Sequence, residues 1–170
     1  MKKELCILLV LFSLVGCASI TSILPSSKKT IDTDSRYKDL IEIVSEHDNF
    51  LSESTNFDIN VEMSKIDGGY RYYVTIDNAK IAMYDIEAIA IEPLVNYEET
   101  MAANIGIFDE TEYNMIPYQS NPSKGYVKGL VMSGLSSNKE TSLFILVQWK
   151  KEDRTTTSRE IFKLDVSYGD

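Results

Sequence analysis

Two apolar runs near the end of the chain, SLFILVQWKK (142–151) and EIFKLDVSY (160–168), decide the fold. Every second residue of each run is large and apolar, which is the period of a β-strand that buries one face. A polar KEDR stretch (151–154) lies between them and is typical of a hairpin connection. We therefore predict two strands with their core side chains at Leu143, Ile145, Val147, Trp149, Phe162, Leu164, Val166 and Tyr168.

The same alternation occurs in two earlier segments, 57–63 and 70–76, which are separated by the turn residues Asp67-Gly68-Gly69. Further candidate strands are 84–91 and 125–133, with shorter ones at 105–108 and 113–116. About seven short strands with turns between them are typical of an antiparallel β-sandwich. The pattern resembles the immunoglobulin-like sandwich, although the Cys–Trp–Cys signature of antibody domains is missing. A partly open β-barrel is the alternative fold.

One amphipathic helix is predicted at 35–54, before the sandwich domain at 55–170. Apolar residues recur there at intervals of three and four, and Asp34 or Ser35 is placed to cap the first turn. We expect the apolar stripe of this helix to pack on the sandwich, because an isolated helix of this length is marginal in water. The single histidine, His47, falls on that stripe, which favours a partly buried structural residue over a catalytic base.

The first residues have the layout of an export signal. Lys2 and Lys3 precede an apolar block at 5–15, which is too short to span a bilayer, and small residues follow. The block ends in Leu14-Val15-Gly16-Cys17, which resembles the lipobox of bacterial lipoprotein precursors. That resemblance implies a signal peptide at 1–16, cleavage between Gly16 and Cys17, and acylation of Cys17, followed by a flexible tether at 17–34. The alternative is an ordinary signal peptide that is cleaved near 18–22.

Charge and cysteine content exclude several classes of partner and site. Without residues 1–16 the chain has 15 basic and 25 acidic residues, a net charge of −10, so phosphate backbones should repel it and nucleic acid is not expected as a partner. The only cysteines are Cys6 and Cys17, which leaves the domain without a disulfide or a thiol nucleophile. No metal, cofactor or catalytic motif is predicted, since one histidine and scattered carboxylates match none of the usual patterns.

The segment 92–124 is the least regular part of the domain and contains three of the four prolines. Loops of this length are often functional or contain short strands, and we favour hidden strands. Tyr97, Tyr113 and Tyr118 lie here among apolar residues, a composition that is enriched at interfaces. They are the candidate interaction surface.

These observations favour a membrane-anchored lipoprotein of the bacterial envelope whose domain is a non-catalytic binding module. Its expected partners are the membrane, through the lipid on Cys17, and another envelope protein. The alternative is an envelope hydrolase that acts through carboxylates, which the acidic composition permits and no motif supports.

Overall fold

The structure is a computed structural model, and it describes residues 33–169. These residues form one α-helix, seven β-strands and one short 3₁₀ helix at Pro122–Lys124. The α-helix and strands are α1 Thr33–Ser45, β1 Asp58–Ile66, β2 Gly69–Asp77, β3 Tyr84–Ile91, β4 Ala103–Ile105, β5 Gly129–Ser136, β6 Glu140–Lys150 and β7 Thr157–Ser167.

The strands are divided between two antiparallel sheets. One sheet has the order β1-β2-β5 and the other β4-β3-β6-β7. Lettered A to G along the chain, the strands form the sheets ABE and DCFG. The fourth strand therefore pairs with the third, which resembles the pairing of strand C′ with strand C in variable-type immunoglobulin domains. The predicted sandwich is therefore confirmed, and the barrel alternative is not the arrangement of these strands.

The predicted first hairpin is also confirmed. β1 and β2 pair in register from Asp58↔Asp77 to Ile66↔Gly69, with Asp67 and Gly68 as the two connecting residues. Gly68 has a φ of +83°, a conformation that a two-residue hairpin turn needs and that glycine adopts without strain.

The sandwich core lies between the sheets and contains the side chains that the alternation placed there. Leu143, Ile145 and Val147 are fully buried, and Trp149 is 3% exposed, with its ring edge-on to Phe57. Tyr168 was predicted to be buried, and this is wrong: its side chain is 40% exposed. The reason is that β7 ends at Ser167, so Tyr168 lies beyond the ladder and its ring contacts Tyr70.

The helix is shorter than predicted and begins earlier. It starts at Thr33, so Asp34 and Ser35 lie inside its first turn rather than at the cap, and it ends at Ser45 instead of continuing to 54. Beyond that end, His47 is half-buried against Phe50 and its Nε2 lies 2.8 Å from the backbone oxygen of Asn49. The following residues leave the helix because Leu51 bridges to the edge of β7, where its amide donates to the Ile161 carbonyl at 2.9 Å.

A second apolar core lies between the helix and the outer face of the four-stranded sheet. Tyr37, Leu40 and Val44 of α1 contact this core, and Ile89 of β3 and Leu146 of β6 belong to it. β3 and β6 are consequently buried on both faces, which explains why FILV is a continuous apolar run rather than a strict alternation.

Candidate functional site

A groove of about 1,000 Å³ lies between α1 and the loop that joins β3 to β4. One wall is the helix face that carries Lys38, Ile41 and Glu42, and the other is the loop at 92–101. Phe144 of the four-stranded sheet also lines it. It is the larger of the two cavities described among residues 33–169; the smaller, about 400 Å³, lies beside Trp149.

Apolar side chains of the loop remain in solvent beside this groove. Leu94 is fully exposed, Met101 is 68% exposed, and Val95 is 43% exposed. Leu94 also has a φ of +70°, in the left-handed region that side chains other than glycine rarely adopt. Clustered exposed apolar residues cost solubility and usually mark an interaction site.

Two tyrosine hydroxyl groups hold the ends of the loop. The amide of Glu92 donates to the Tyr97 hydroxyl at 2.6 Å, and the amide of Ala102 donates to the Tyr37 hydroxyl of the helix at 2.7 Å. Burial raises the pKa of Tyr97 to about 12. The loop thus presents its exposed apolar residues from fixed ends rather than as a free chain.

The charge lining the groove is predominantly acidic. Asp34, Glu42, Glu98 and Glu99 contribute carboxylates, and Lys38 contributes the basic side chain. The Glu92 carboxylate also belongs to this region but is buried, where it accepts hydrogen bonds from Ser136 at 3.1 Å and Thr141 at 3.0 Å. A ligand in the groove therefore meets apolar surface with an acidic rim.

The three candidate interaction tyrosines are not brought together. Tyr97 packs with the second core and lines the groove, whereas Tyr113 packs against the sandwich core. Tyr118 is fully exposed and has a φ of +64°. That these tyrosines form an interaction surface stays a prediction, and of the three only Tyr97 lines the groove.

Sequence reasoning missed the helix side of this site. The apolar period predicts a helix here, but nothing in the sequence states which segment folds over α1. The available signal was the group of apolar residues at Leu94, Val95 and Met101 within an otherwise polar stretch.

Glu87 is the buried carboxylate with the clearest structural role. It forms an ion pair with Arg36 of α1 and accepts a hydrogen bond from the Gln148 amide at 2.6 Å, while Arg159 donates to the Gln148 oxygen at 2.8 Å. Burial raises the pKa of Glu87, although its contacts with Gln148 and Arg36 act to lower it. Glu87 joins the helix to the sheet and lines neither described cavity.

The described residues show no group of three or more His, Cys, Asp or Glu side chains suited to a metal ion. No helix between 33 and 169 has the length and hydropathy needed to cross a membrane. Gly16 and Cys17, the predicted cleavage and lipidation residues, lie outside the described residues.

The fold and the groove together define a class of protein: a β-sandwich whose larger sheet is covered by a helix, with an apolar groove of acidic rim beside that helix. No protein-family model and no curated protein matches the chain.

Proposed function

We propose that the protein is a lipid-anchored lipoprotein of the bacterial envelope and that its sandwich is a non-catalytic binding module. The anchoring rests on the resemblance of Leu14-Val15-Gly16-Cys17 to a lipobox. Diacylation of Cys17 binds a membrane stably because each buried methylene contributes about 0.8 kcal/mol and two chains act together.

The observation that carries the binding role is the groove beside α1 with exposed Leu94, Val95 and Met101 at its edge. These residues lie on a loop whose ends are fixed by tyrosine hydroxyl groups, and recognition residues commonly lie on loops that a rigid sandwich positions. Covering them with a partner removes apolar surface from water, which is the main favourable contribution to protein association.

The partner that fits this groove is an amphipathic helix of another envelope protein that carries basic residues. Its apolar face would cover Leu94 and Met101, as helices do in apolar grooves. Its basic residues would face Glu42, Glu98 and Glu99, which line the site. Such complementarity accelerates association and selects against acidic partners.

The anchoring is tested by Cys17→Ala in the full precursor. We expect loss of lipid labelling, an unprocessed precursor and altered membrane fractionation, because the acylated sulfur is the atom that holds the lipid. Unchanged processing and lipid labelling of the variant would exclude the lipobox interpretation and favour the ordinary signal peptide.

The groove is tested with two matched peptides of about 14 residues, roughly four helical turns, one built of Leu and Lys and one of Leu and Glu. Calorimetric titration of the mature chain, with Cys17→Ala to keep it in solution, should show binding of the Leu/Lys peptide only. Leu94→Asp and Glu98→Lys should each weaken it about tenfold, which corresponds to roughly 1.4 kcal/mol.

Two control variants separate the groove from general charge attraction. Ile81→Asp matches Leu94→Asp, because it places an aspartate at an exposed apolar residue outside the groove. Glu62→Lys matches Glu98→Lys, because it makes the same charge change on β1. Both should bind the Leu/Lys peptide like the parent. Equal weakening by Glu62→Lys and Glu98→Lys would mean that net charge alone attracts the peptide and would refute the groove.

A further inference from the structure

The loop beside the groove begins with a tight turn, EPLV at 92–95. The Val95 amide donates to the Glu92 carbonyl at 3.4 Å. Pro93 is the second residue of the turn, and Leu94 is the third, with a φ of +70°. These are the features of a type II β-turn, whose third residue needs a positive φ and is usually glycine. The chain therefore has a leucine where the backbone favours glycine.

The first residue of this turn is held firmly by the sandwich. Glu92 is buried, and its carboxylate accepts hydrogen bonds from Ser136 and Thr141. Its amide donates to the Tyr97 hydroxyl. The ring of the proline that follows fixes the next φ. Leu94 is thus presented from a rigid support, although its own side chain is fully exposed.

The local structure gives no reason for a leucine at this position. Glycine would relieve the backbone and would remove an apolar side chain from water. Backbone strain of this kind persists mainly at functional sites, and an apolar residue that is already held in place can be buried by a partner at little entropic cost. Because Leu94 lines the groove and is yet fully exposed, a partner can bury it only by surrounding it.

We propose that Leu94 selects the partner by inserting into the apolar face of the basic helix, at a point where that helix carries a small residue such as alanine. This inference rests on the proposed binding role of the groove and specifies its partner further. A small residue leaves a space between the side chains three and four positions away, and such a space receives the inserted side chain when helices pack. A helix with leucine at that point would clash with Leu94.

The test compares two Leu/Lys peptides that differ at one central position of the apolar face, which is alanine in one and leucine in the other. Both residues are strong helix formers, so the two peptides have similar helicity. In calorimetric titration of the mature chain with Cys17→Ala, the alanine peptide should bind more tightly by about tenfold, because even one methylene in an apolar site can change affinity by that factor. Leu94→Gly should reverse the order, because the leucine peptide then fills the space.

The matched control is Tyr118→Gly, in a second turn of the same kind at 116–119. Pro117 is its second residue, and Tyr118 is its third, with a φ of +64° and a fully exposed side chain. The Gln119 amide donates to the Ile116 carbonyl at 3.0 Å. Tyr118 is not among the residues that line the groove, so Tyr118→Gly should keep the preference for the alanine peptide. Glycine adopts a positive φ without strain, so urea unfolding should show both glycine variants folded.

The outcomes separate the role of Leu94 from that of the groove. Equal affinity of the parent for the two peptides, or an unchanged preference in Leu94→Gly, would overturn the selection by Leu94 while leaving the groove as a binding site. Loss of the preference in Tyr118→Gly would also overturn it. Binding of neither peptide by the parent would overturn the groove and, with it, this inference. Leu94→Ala, which shortens the side chain without introducing glycine, should likewise abolish the preference.

Discussion

Gly134 is a position in the sandwich where one added methyl group should destabilise the fold. It lies opposite Tyr72 in the β2–β5 ladder. A Cβ atom at Gly134 would lie 2.9 Å from Cε1 of Tyr72 and closer still to its Cζ and Oη atoms. Tyr72 is 2% exposed in the sandwich core, and this burial raises the pKa of its hydroxyl well above the usual range.

We expect Gly134→Ala to lower the free energy of unfolding by about 2 to 4 kcal/mol. Overpacking a filled core costs about 1 to 3 kcal/mol, and displacing the Tyr72 hydroxyl from its hydrogen bond with the Ala103 backbone adds about 1 kcal/mol. That is a large fraction of the roughly 5 to 15 kcal/mol by which domains are stable. Urea unfolding followed by fluorescence of Trp149, the only tryptophan, measures it.

The control is Ser133→Ala, a neighbouring exposed position on the outer face, which should shift stability by less than about 0.5 kcal/mol. Adding Tyr72→Leu to Gly134→Ala should cost less than the sum of the two single changes, because the leucine removes the atoms that the new methyl group meets. A Gly134→Ala chain as stable as the parent would refute the packing of Tyr72 against Gly134.

Three further changes test other parts of the structure. Trp149→Ala should cost about 3 to 5 kcal/mol in urea unfolding followed by circular dichroism, since the variant has no tryptophan. Trp149→Phe should cost much less, because the buried Nε1 of Trp149 has no hydrogen-bond partner to lose. Burial raises the pKa of Glu87, so the folded state binds a proton at this carboxyl more tightly than the unfolded state does. The parent should therefore gain stability relative to Glu87→Gln as pH falls from neutral toward 4.5. Tyr97→Phe leaves the Glu92 amide without its acceptor, so hydrogen exchange at 92–101 should become faster.

The strands could be predicted from the sequence because their alternation directly reflects which face is buried. The predicted strand at 84–91 matches β3, and the hairpin at Asp67-Gly68 is found where the turn residues indicate it. β5 is Gly129–Ser136, so the predicted strand at 125–133 begins four residues and ends three residues too early. The predicted strand at 105–108 is wrong apart from Ile105, because β4 is Ala103–Ile105 and the chain bends at 106–108. The segment 113–116 contains only isolated bridges at Asn114 and Met115.

The extent of the helix and the groove could not be predicted, because both depend on contacts distant in sequence. The apolar period through His47 and Leu51 continues past the point where the helix ends, and only the bridge from Leu51 to β7 shows why the chain leaves it. The groove requires the Tyr37 hydroxyl to meet the Ala102 amide, a pair separated by 65 residues. No local pattern specifies such a pair.

Hydrogen–deuterium exchange of the mature chain, with and without the Leu/Lys peptide, tests the binding role most directly. We expect slower exchange in the loop at 92–101 and in α1, with no change in the β6–β7 connection at 151–156, which is also polar and exposed. Unchanged exchange at 92–101, or equal slowing in the connection, would contradict the groove as the binding site.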